Sequence, residues 1–320
     1  MKDQDENRFK ILFIIVTWNR REILDRCLIS LLKHIPYPHK ILVVDNASSD
    51  KTSNMVKSEY PDVILIENTE NLGFSKANNQ GLMYLREHDM TFDYVIFFND
   101  DAKLEDGSLR SLIDYMDKDK EVKACIPSVF TDQGKLQTGV GGYELSIGSA
   151  FTYFSFLSIL FPQLFKGFFI HQRYYRKKGL ILELDWISGV CFVMRREMAV
   201  LLRFDEDFFM YAEDIAICRE IRQYGKVVYY PFARIFHQMK KNSTPESGTR
   251  WLDSLFRYYR THNAGKNQGK LWILKGIFVF GFFLRALGYT ILAGFSRSQY
   301  SGRKKVLLSY CRYIMRGFFR

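Results

Sequence analysis

Between residues 10 and 98 the chain alternates short, β-branched apolar runs with amphipathic stretches. No other feature limits the possible folds as much. Residues 10–16 (KILFIIV), 40–45 (KILVVD), 63–67 and 94–98 have the length and composition of buried strands. Residues 21–34 carry Ile23, Leu24, Cys27, Leu28, Leu31 and Leu32 at the spacing of one helix face. Residues 50–60 suit a helix with Asp50 as its cap, and 75–88 are helical in pattern. This alternation predicts an α/β fold, a mixed but mainly parallel sheet flanked by helices. In such sheets ligands bind beyond the carboxyl ends of the strands.

Those ends are polar. The first strand runs into Thr17, Trp18, Asn19 and Arg20, and the second into Asp45, Asn46, Ala47, Ser48, Ser49 and Asp50. The third is followed by Asn68 and then Asn71-Leu72-Gly73-Phe74, and the fourth by Asn99, Asp100 and Asp101. One such end only terminates a strand; four together make a crevice lined with hydrogen-bonding groups. Adjacent Asp100 and Asp101 would repel each other in a partly desolvated site. A divalent cation relieves that, and hard oxygen ligands suit magnesium or manganese. Read alone, the pair fits a solvated turn with a helix cap somewhat better. No GxGxxG follows the first strand and no GxxxxGK[ST] occurs anywhere, which disfavours dehydrogenases and P-loop enzymes.

Beyond Asp101 the rhythm loosens. Strands are expected at 122–130, within 184–194 and at 226–230, a flexible loop at 139–142, and a helix at 212–224 opened by Glu213 and Asp214. Residues 151–170 are rich in Phe and Leu but interrupted by Pro162 and Lys166, too broken for a transmembrane helix; the Phe and Tyr of 151–175 read as an acceptor-lipid groove or as core. The chain carries +11 overall, yet residues 247–320 hold fourteen Lys or Arg against a single acid, Asp253. A near-neutral body therefore precedes a basic tail. Within that tail, 271–295 is apolar except for Lys275 and Arg285, and long enough to span a bilayer, although Arg285 would sit near its centre. Basic residues mixed with Tyr and Phe after it suit a segment lying on anionic lipid. A helical subdomain packed on the body is the other reading. The apolar run argues against nucleic acid as the partner of the basic tail. Five scattered cysteines without a CxxC pair suggest reduced thiols, and the polar first ten residues carry no secretory pattern, so the body is expected in the cytosol.

The segments IIVTWNR, ILVVDNASSD, NLGFSKANNQG, FFNDDAKL, DWISGVCFVMRRE and FFMYAEDIAICREIRQYG, in this order, resemble the family-2 glycosyltransferases. The likeness is strongest to the rhamnosyltransferase-like and galactofuranosyltransferase-like branch and covers about residues 9–240. It implies a GT-A fold over 1–245, with a nucleotide-sugar half at about 9–130 and an acceptor half at about 131–245, followed by the tail at 246–320. It also implies an inverting, metal-dependent transfer from a nucleotide-diphosphate sugar, dTDP- or UDP-linked with rhamnose a candidate. The acceptor would be lipid-linked or a polysaccharide, at the cytoplasmic face of the membrane.

By motif, Thr17, Asn19 and Arg20 would lie at the nucleotide, and Asp45 and Asn46 near its base; the family often carries a second acid where this chain has Asn46. Gly73 and Asn79 would flank the donor. Asp101 would bind the metal, with Asp100 supporting the ribose or the metal and His237 as a further metal ligand. Trp186, Ser188 and Gly189 would face the acceptor, and Glu213-Asp214 would be the catalytic pair with Asp214 as base. An acceptor hydroxyl must lose a proton as it attacks, which a placed carboxylate can take. Asp214 also reads as a helix N-terminal charge, and His237 as a structural histidine. Lys240 and Lys241 read as diphosphate contacts or as solvated charges. A nucleotidyltransferase and a non-catalytic, membrane-bound transferase relative are the competing readings.

Overall fold

The computed structural model describes residues 8–105, 107–238, 245–265, 267–293 and 297–317. Lys240 and Lys241 lie outside them. The chain forms two compact units, residues 1–141 with 172–239, and residues 142–171 with 240–320. Residues 142–171, placed by the sequence in the first domain, thus fall in the second unit.

The first unit opens with β1 (Arg8–Thr17), α1 (Arg21–His34), β2 (His39–Asp45), α2 (Thr52–Glu59), β3 (Ile64–Glu67), α3 (Gly73–Glu87) and β4 (Thr91–Phe98). It continues with β5 (Ala102–Leu104), α4 (Ser108–Lys118), β6 (Val122–Thr131) and the short β7 (Gly141–Gly142) at its boundary. After the second unit's α5 (Ile147–Phe154) and α6 (Leu157–Leu160) it resumes with α7 (Gln172–Lys178), β8 (Leu182–Leu184), β9 (Trp186–Ile187) and β10 (Cys191–Arg195). α8 (Arg196–Leu201), α9 (Glu213–Ile221) and β11 (Lys226–His237) complete it.

Among the described residues nine strands form one sheet in the order β3-β2-β1-β4-β10-β6-β11-β5, with β8 also paired to β11. β3, β2, β1 and β4 are parallel; β10 runs antiparallel between β4 and β6. The expected mixed, mainly parallel sheet flanked by helices is therefore observed. The central runs of β1 and β4 are apolar because both of their faces are covered: Ile11–Ile15 and Tyr94–Phe97 are fully buried. α1 turns Leu24, Cys27, Leu28 and Leu31 inward at i, i+3, i+4, i+7.

Register places the site. Chain order runs from β1 outward to β2 and β3, then returns to the other side of β1 for β4, so a crevice opens between the carboxyl ends of β1 and β4. Ile14 pairs with Phe97, so Thr17 and Asp100, each three residues on, come level. Thr17 also pairs with Asp45. Antiparallel β10 pairs Cys191 with Phe98, which sets 188–190 beside 99–101. β11 extends well past the expected end at Tyr230. Its pairing with β6 shifts between Tyr230 and Arg234, at Pro231, and then continues to His237, opposite Ala102 of β5.

The second unit contains α5, α6, α10 (Pro245–Tyr259), a π-helical turn (Arg260–Ala264), α11 (Gln268–Ala293) and α12 (Arg297–Arg316). Ser146 caps α5, accepting a hydrogen bond from the Ser149 N–H at 3.0 Å. Arg285 does not face outward from α11. Its guanidinium donates to the carbonyls of Tyr153 (3.0 Å) and Phe154 (3.3 Å) at the end of α5, and lies 4.5–4.9 Å from the rings of Tyr153, Phe154 and Phe156. A cation at a helix C-terminus complements the dipole there. Gly281 permits the approach: a Cβ on it would lie 1.9 Å from the Phe154 ring.

Candidate functional site

The acidic pair and three partners converge at the carboxyl end of β4. Arg20 Nη1 lies 2.7 Å from Asp100 Oδ1 and 2.7 Å from Asp101 Oδ2. Thr17 donates its hydroxyl to Asp100 Oδ2 at 2.9 Å. His237 Nε2 lies 2.7 Å from Asp101 Oδ1, and its Nδ1 lies 2.8 Å from Gln137 Oε1. The Gln238 N–H closes the group on the Asp101 carbonyl at 2.8 Å. The expected mutual repulsion of the two carboxylates is thus relieved by Arg20, which the motif places at the nucleotide.

The two acids differ in environment. Asp100 is 5% exposed. Burial pushes its carboxyl up to about 6, against the pull of Arg20. For Asp101 burial acts in the same direction, but the His237 hydrogen bond and the charges of His237 and Arg20 outweigh it and hold the carboxyl below its ordinary range. Asp100 therefore anchors the loop, with an oxygen on Thr17 and an oxygen on Arg20. Asp101 has one oxygen on Arg20 and the other on His237, and it is with His237 that it would meet a cation.

Among the described residues no group of three or more His, Cys, Asp or Glu is placed to hold a metal. A carboxylate oxygen beside an imidazole nitrogen fits a divalent cation that takes its remaining ligands from substrate phosphates and water. Gln137 fixes the far nitrogen of that imidazole, as the outer partners of metal-binding histidines do. Gln137 sits in the loop after β6, a hundred residues from His237, and no spacing announces it.

Asp45 and Asn46 are both buried at the end of β2. Asp45 accepts from the Ser48 N–H at 3.2 Å and from the Ser48 and Ser53 hydroxyls. Asn19, at φ 52°, joins this loop: its N–H donates to Ser48 Oγ at 2.8 Å, and its Oδ1 accepts from the Ser49 N–H at 2.7 Å. Asn46 donates to the Gly73 carbonyl at 3.1 Å and accepts from Asn68 at 2.9 Å. These side chains shape the mouth of the crevice, and Asp45 organises the turn it precedes.

Gly73 and Asn79 tie α3 to the segment that leads into α9. The Phe74 N–H donates to the Phe209 carbonyl at 2.7 Å. Gly73 has φ +81°, and a Cβ there would stand 2.4 Å from that carbonyl oxygen. Asn79 exchanges bonds of 2.9 Å with the backbone N–H and carbonyl of Phe204 and reaches Glu206 Oε1 at 2.9 Å. Asn79 is thus used in bracing this segment. Gly73→Ala is expected to cost about 1–3 kcal/mol, since alanine is strained at this φ and its methyl meets main chain rather than a movable side chain. A urea titration followed by fluorescence reads it; an unchanged midpoint refutes the clamp.

The braced segment ends in two consecutive left-handed residues, Tyr211 (φ 72°) and Ala212 (φ 70°), directly before Glu213 and Asp214. Non-glycine residues hold such angles where the surroundings enforce them, and they cluster at functional sites. Asp214 receives hydrogen bonds from the Ile215 N–H (2.9 Å) and from the Gly189 N–H. Burial nevertheless pushes its carboxyl up to about 6. Glu213 is fully enclosed; burial first, then the Asp214 charge, pushes it well above the ordinary carboxylate range. Of the pair, Asp214 is the more readily ionised.

Gly189 has no room for a side chain, since a Cβ would lie 2.9 Å from the Phe74 ring. Trp186 is buried on β9, and the Ser188 N–H donates to the Val140 carbonyl at 2.9 Å. Ser188 Oγ and Glu213 Oε2 are buried without a hydrogen-bond partner in the structure. The Asn99 N–H donates to the Val190 carbonyl at 3.1 Å, so one backbone bond joins the loop of the acidic pair to the segment whose Gly189 holds Asp214. The acidic pair and a candidate base therefore share one crevice edge.

The sequence pattern of the family described as Glycosyl transferase family 2 matches residues 12–199. The N-acetylglucosaminyl-diphospho-decaprenol L-rhamnosyltransferase of Mycobacterium tuberculosis is 27% identical over 276 residues, 82% of this chain and 88% of that protein. Rhamnosyltransferase WbbL of Escherichia coli K12 is 24% identical over 257 residues, 78% of this chain and 92% of that protein. Among solved structures, the mannosyltransferase PcManGT from Pyrobaculum calidifontis, in complex with GDP-Man and Mn2+, superposes with a TM-score of 0.58 at 16% identity. The match covers 96% of this chain and 87% of that one, and it shows a shared fold.

Proposed function

This chain belongs to glycosyl transferase family 2, and from that premise we propose that it moves a sugar from a nucleotide-diphosphate donor to a lipid-linked acceptor in cell-surface glycan synthesis, inverting the anomeric centre. The observation that carries the reading is the shared crevice edge. Asp101, just past the end of β4, meets His237 from the end of β11, and Asp214, raised toward neutrality, is tied by the Gly189 N–H to the segment that leads into β10, the strand beside β4. Its relatives' names point to rhamnose as the sugar and to a polyprenyl diphosphate carrying N-acetylglucosamine as the acceptor class. The donor is proposed to be dTDP- or UDP-linked.

Asp214 takes the proton of the acceptor hydroxyl as that oxygen attacks the anomeric carbon. The bond from that carbon to the diphosphate oxygen breaks, and its electron pair leaves with the nucleoside diphosphate. A single displacement from the opposite face inverts the centre. Asp101 and His237 would hold a divalent cation, manganese or magnesium, whose contribution when bound is to neutralise charge on the departing diphosphate. Arg20, fixed by both acids, adds positive charge at the same place. Glu213, protonated, offers a neutral hydrogen-bonding group, and Ser188 a second, for sugar hydroxyls. The strand-end loop of Asn19, Asp45, Asn46 and Ser48 is assigned to the nucleoside.

The pH profile follows from the Asp214 carboxyl. A base acts ionised, and burial has raised this one to about 6, so kcat/KM should climb with pH through about 6 and level off above it. A profile flat from pH 5 to 8 at saturating manganese would contradict that role.

The direct test mixes the protein, manganese, a panel of dTDP- and UDP-sugars and polyprenyl-diphosphate-linked N-acetylglucosamine. Release of nucleoside diphosphate from one donor is expected. Pyrophosphate as product would mark a nucleotidyltransferase, and failure of every donor to bind or react would leave only a scaffold.

A further inference from the structure

α11 has two unlike faces. Trp272, Ile273, Phe280, Phe283, Leu287 and Ile291 are all exposed, Phe280 by 49% and Phe283 by 56%. At 3.6 residues per turn they fall within about 100° of arc and run for about 30 Å along the helix. No charged residue interrupts them. The opposite face holds Leu274, Phe278, Phe282 and Ala286, all buried, and carries Arg285, engaged at the end of α5. α12 packs antiparallel along α11: Cys311 Sγ lies 3.5 Å from the Val279 carbonyl, the Tyr310 ring lies 5.4 Å from that of Phe282, and Arg303 lies 6.0 Å from the Tyr289 ring. α12 brings Arg303, Lys304, Lys305, Arg312 and Arg316, and residues 268–317 contain no acid.

We propose that the exposed stripe of α11 is a membrane-docking face that lies in the plane of an anionic lipid surface, with the basic α12 beside it, rather than a bilayer span. Among the described residues one helix, Gln268–Ile291, is long and apolar enough to cross a membrane. Crossing would draw α12 in with it, because the two helices pack side by side over most of their length, and would place its cations in hydrocarbon. Lying flat, the stripe enters the acyl boundary while the cations stay at the headgroup level. Trp272, with Lys275 Nζ 5.0 Å from its ring, marks the stripe's N-terminal end with the aromatic–cation pairing favoured at membrane interfaces. The charge selects lipid over a second copy: two such faces would bring two acid-free basic hairpins together, whereas anionic headgroups complement them.

The inference stands on this unit alone and not on the transfer reaction, so vesicle binding and sugar transfer can fail separately. The experiment is flotation of the full-length protein with phosphatidylcholine vesicles, with and without phosphatidylglycerol, beside the variant Phe280→Gln/Phe283→Gln/Leu287→Gln. These side chains are solvent-exposed, and an unchanged circular dichroism spectrum checks the fold. The native chain should float with the anionic vesicles, bind them more weakly at high salt, and be released by alkaline carbonate. The variant should lose more than about tenfold in vesicle affinity and still bind nucleotide. Resistance of the native chain to carbonate would reveal a span and overturn the proposal. So would a variant that floats as the native chain does, or a native dimer that the variant breaks with no vesicle binding by either.

Discussion

Asp214→Asn should lower kcat by ~10²–10⁴, the usual contribution of a positioned general base, and leave donor binding nearly intact. The substitution keeps the size of the side chain and an oxygen for the Gly189 and Ile215 N–H groups, but removes the acceptor for the proton. Glu213→Gln provides the contrast. Burial favours the neutral form of Glu213, and glutamine has much the same shape and can still donate and accept, so activity should fall by less than about tenfold. Single-turnover kinetics with matched donor concentrations separates the two. If the Asp214→Asn enzyme turns over normally, or if Glu213→Gln is the more damaging change, the acid–base assignment of the pair is wrong.

Asp101→Asn is expected to be the other severe change, costing ~10²–10³ in kcat/KM by removing charge stabilisation at the leaving group. The carboxylate contacts Arg20 on one oxygen and His237 on the other. Losing its charge weakens the cation pair and frees Arg20 to turn wholly to Asp100. Calorimetric titration of manganese in the presence of a nucleoside diphosphate should show the loss directly, and His237→Ala should move in the same direction. Manganese-dependent nucleotide binding unchanged in both variants would refute Asp101 and His237 as the cation's protein ligands.

Much of this architecture can be read along the chain, because periodicity is a local property. β1 to β4 and α1 to α3 follow from apolar runs and i, i+3, i+4 spacing, and the boundaries differ by a few residues at most. α4 carries the same signal at Leu109, Leu112, Ile113 and Met116, but the loosened pattern around it conceals it. The end of β11 is hidden for a different reason. Pro231 cannot donate to a ladder and reads as a strand stop, yet a shift in pairing carries the strand past it to His237.

The site divides along the same line. Asp101, Asp214 and His237 are recognisable as motif positions. The partners that give them their character are not. Arg20 reaches both acids through a loop whose Asn19 is left-handed, Gln137 arrives from a hundred residues away, and the Gly189 N–H meets Asp214 across two separate elements. Such contacts depend on tertiary placement, which one-dimensional spacing does not encode. The same holds for Arg285. Along the chain it is a charge in an apolar run; in the fold it caps α5 and so leaves the outer face of α11 uncharged.

The irregularity of β11 at Pro231 also sets a phase. Side chains alternate sides along a strand, so the residues absorbed between Tyr230 and Arg234 decide on which surface of the sheet every later residue emerges. Removing one of them would leave Val227–Tyr230 in place yet send the imidazole of His237 to the wrong side, away from Asp101. A change of length in that stretch would therefore act on the site through His237.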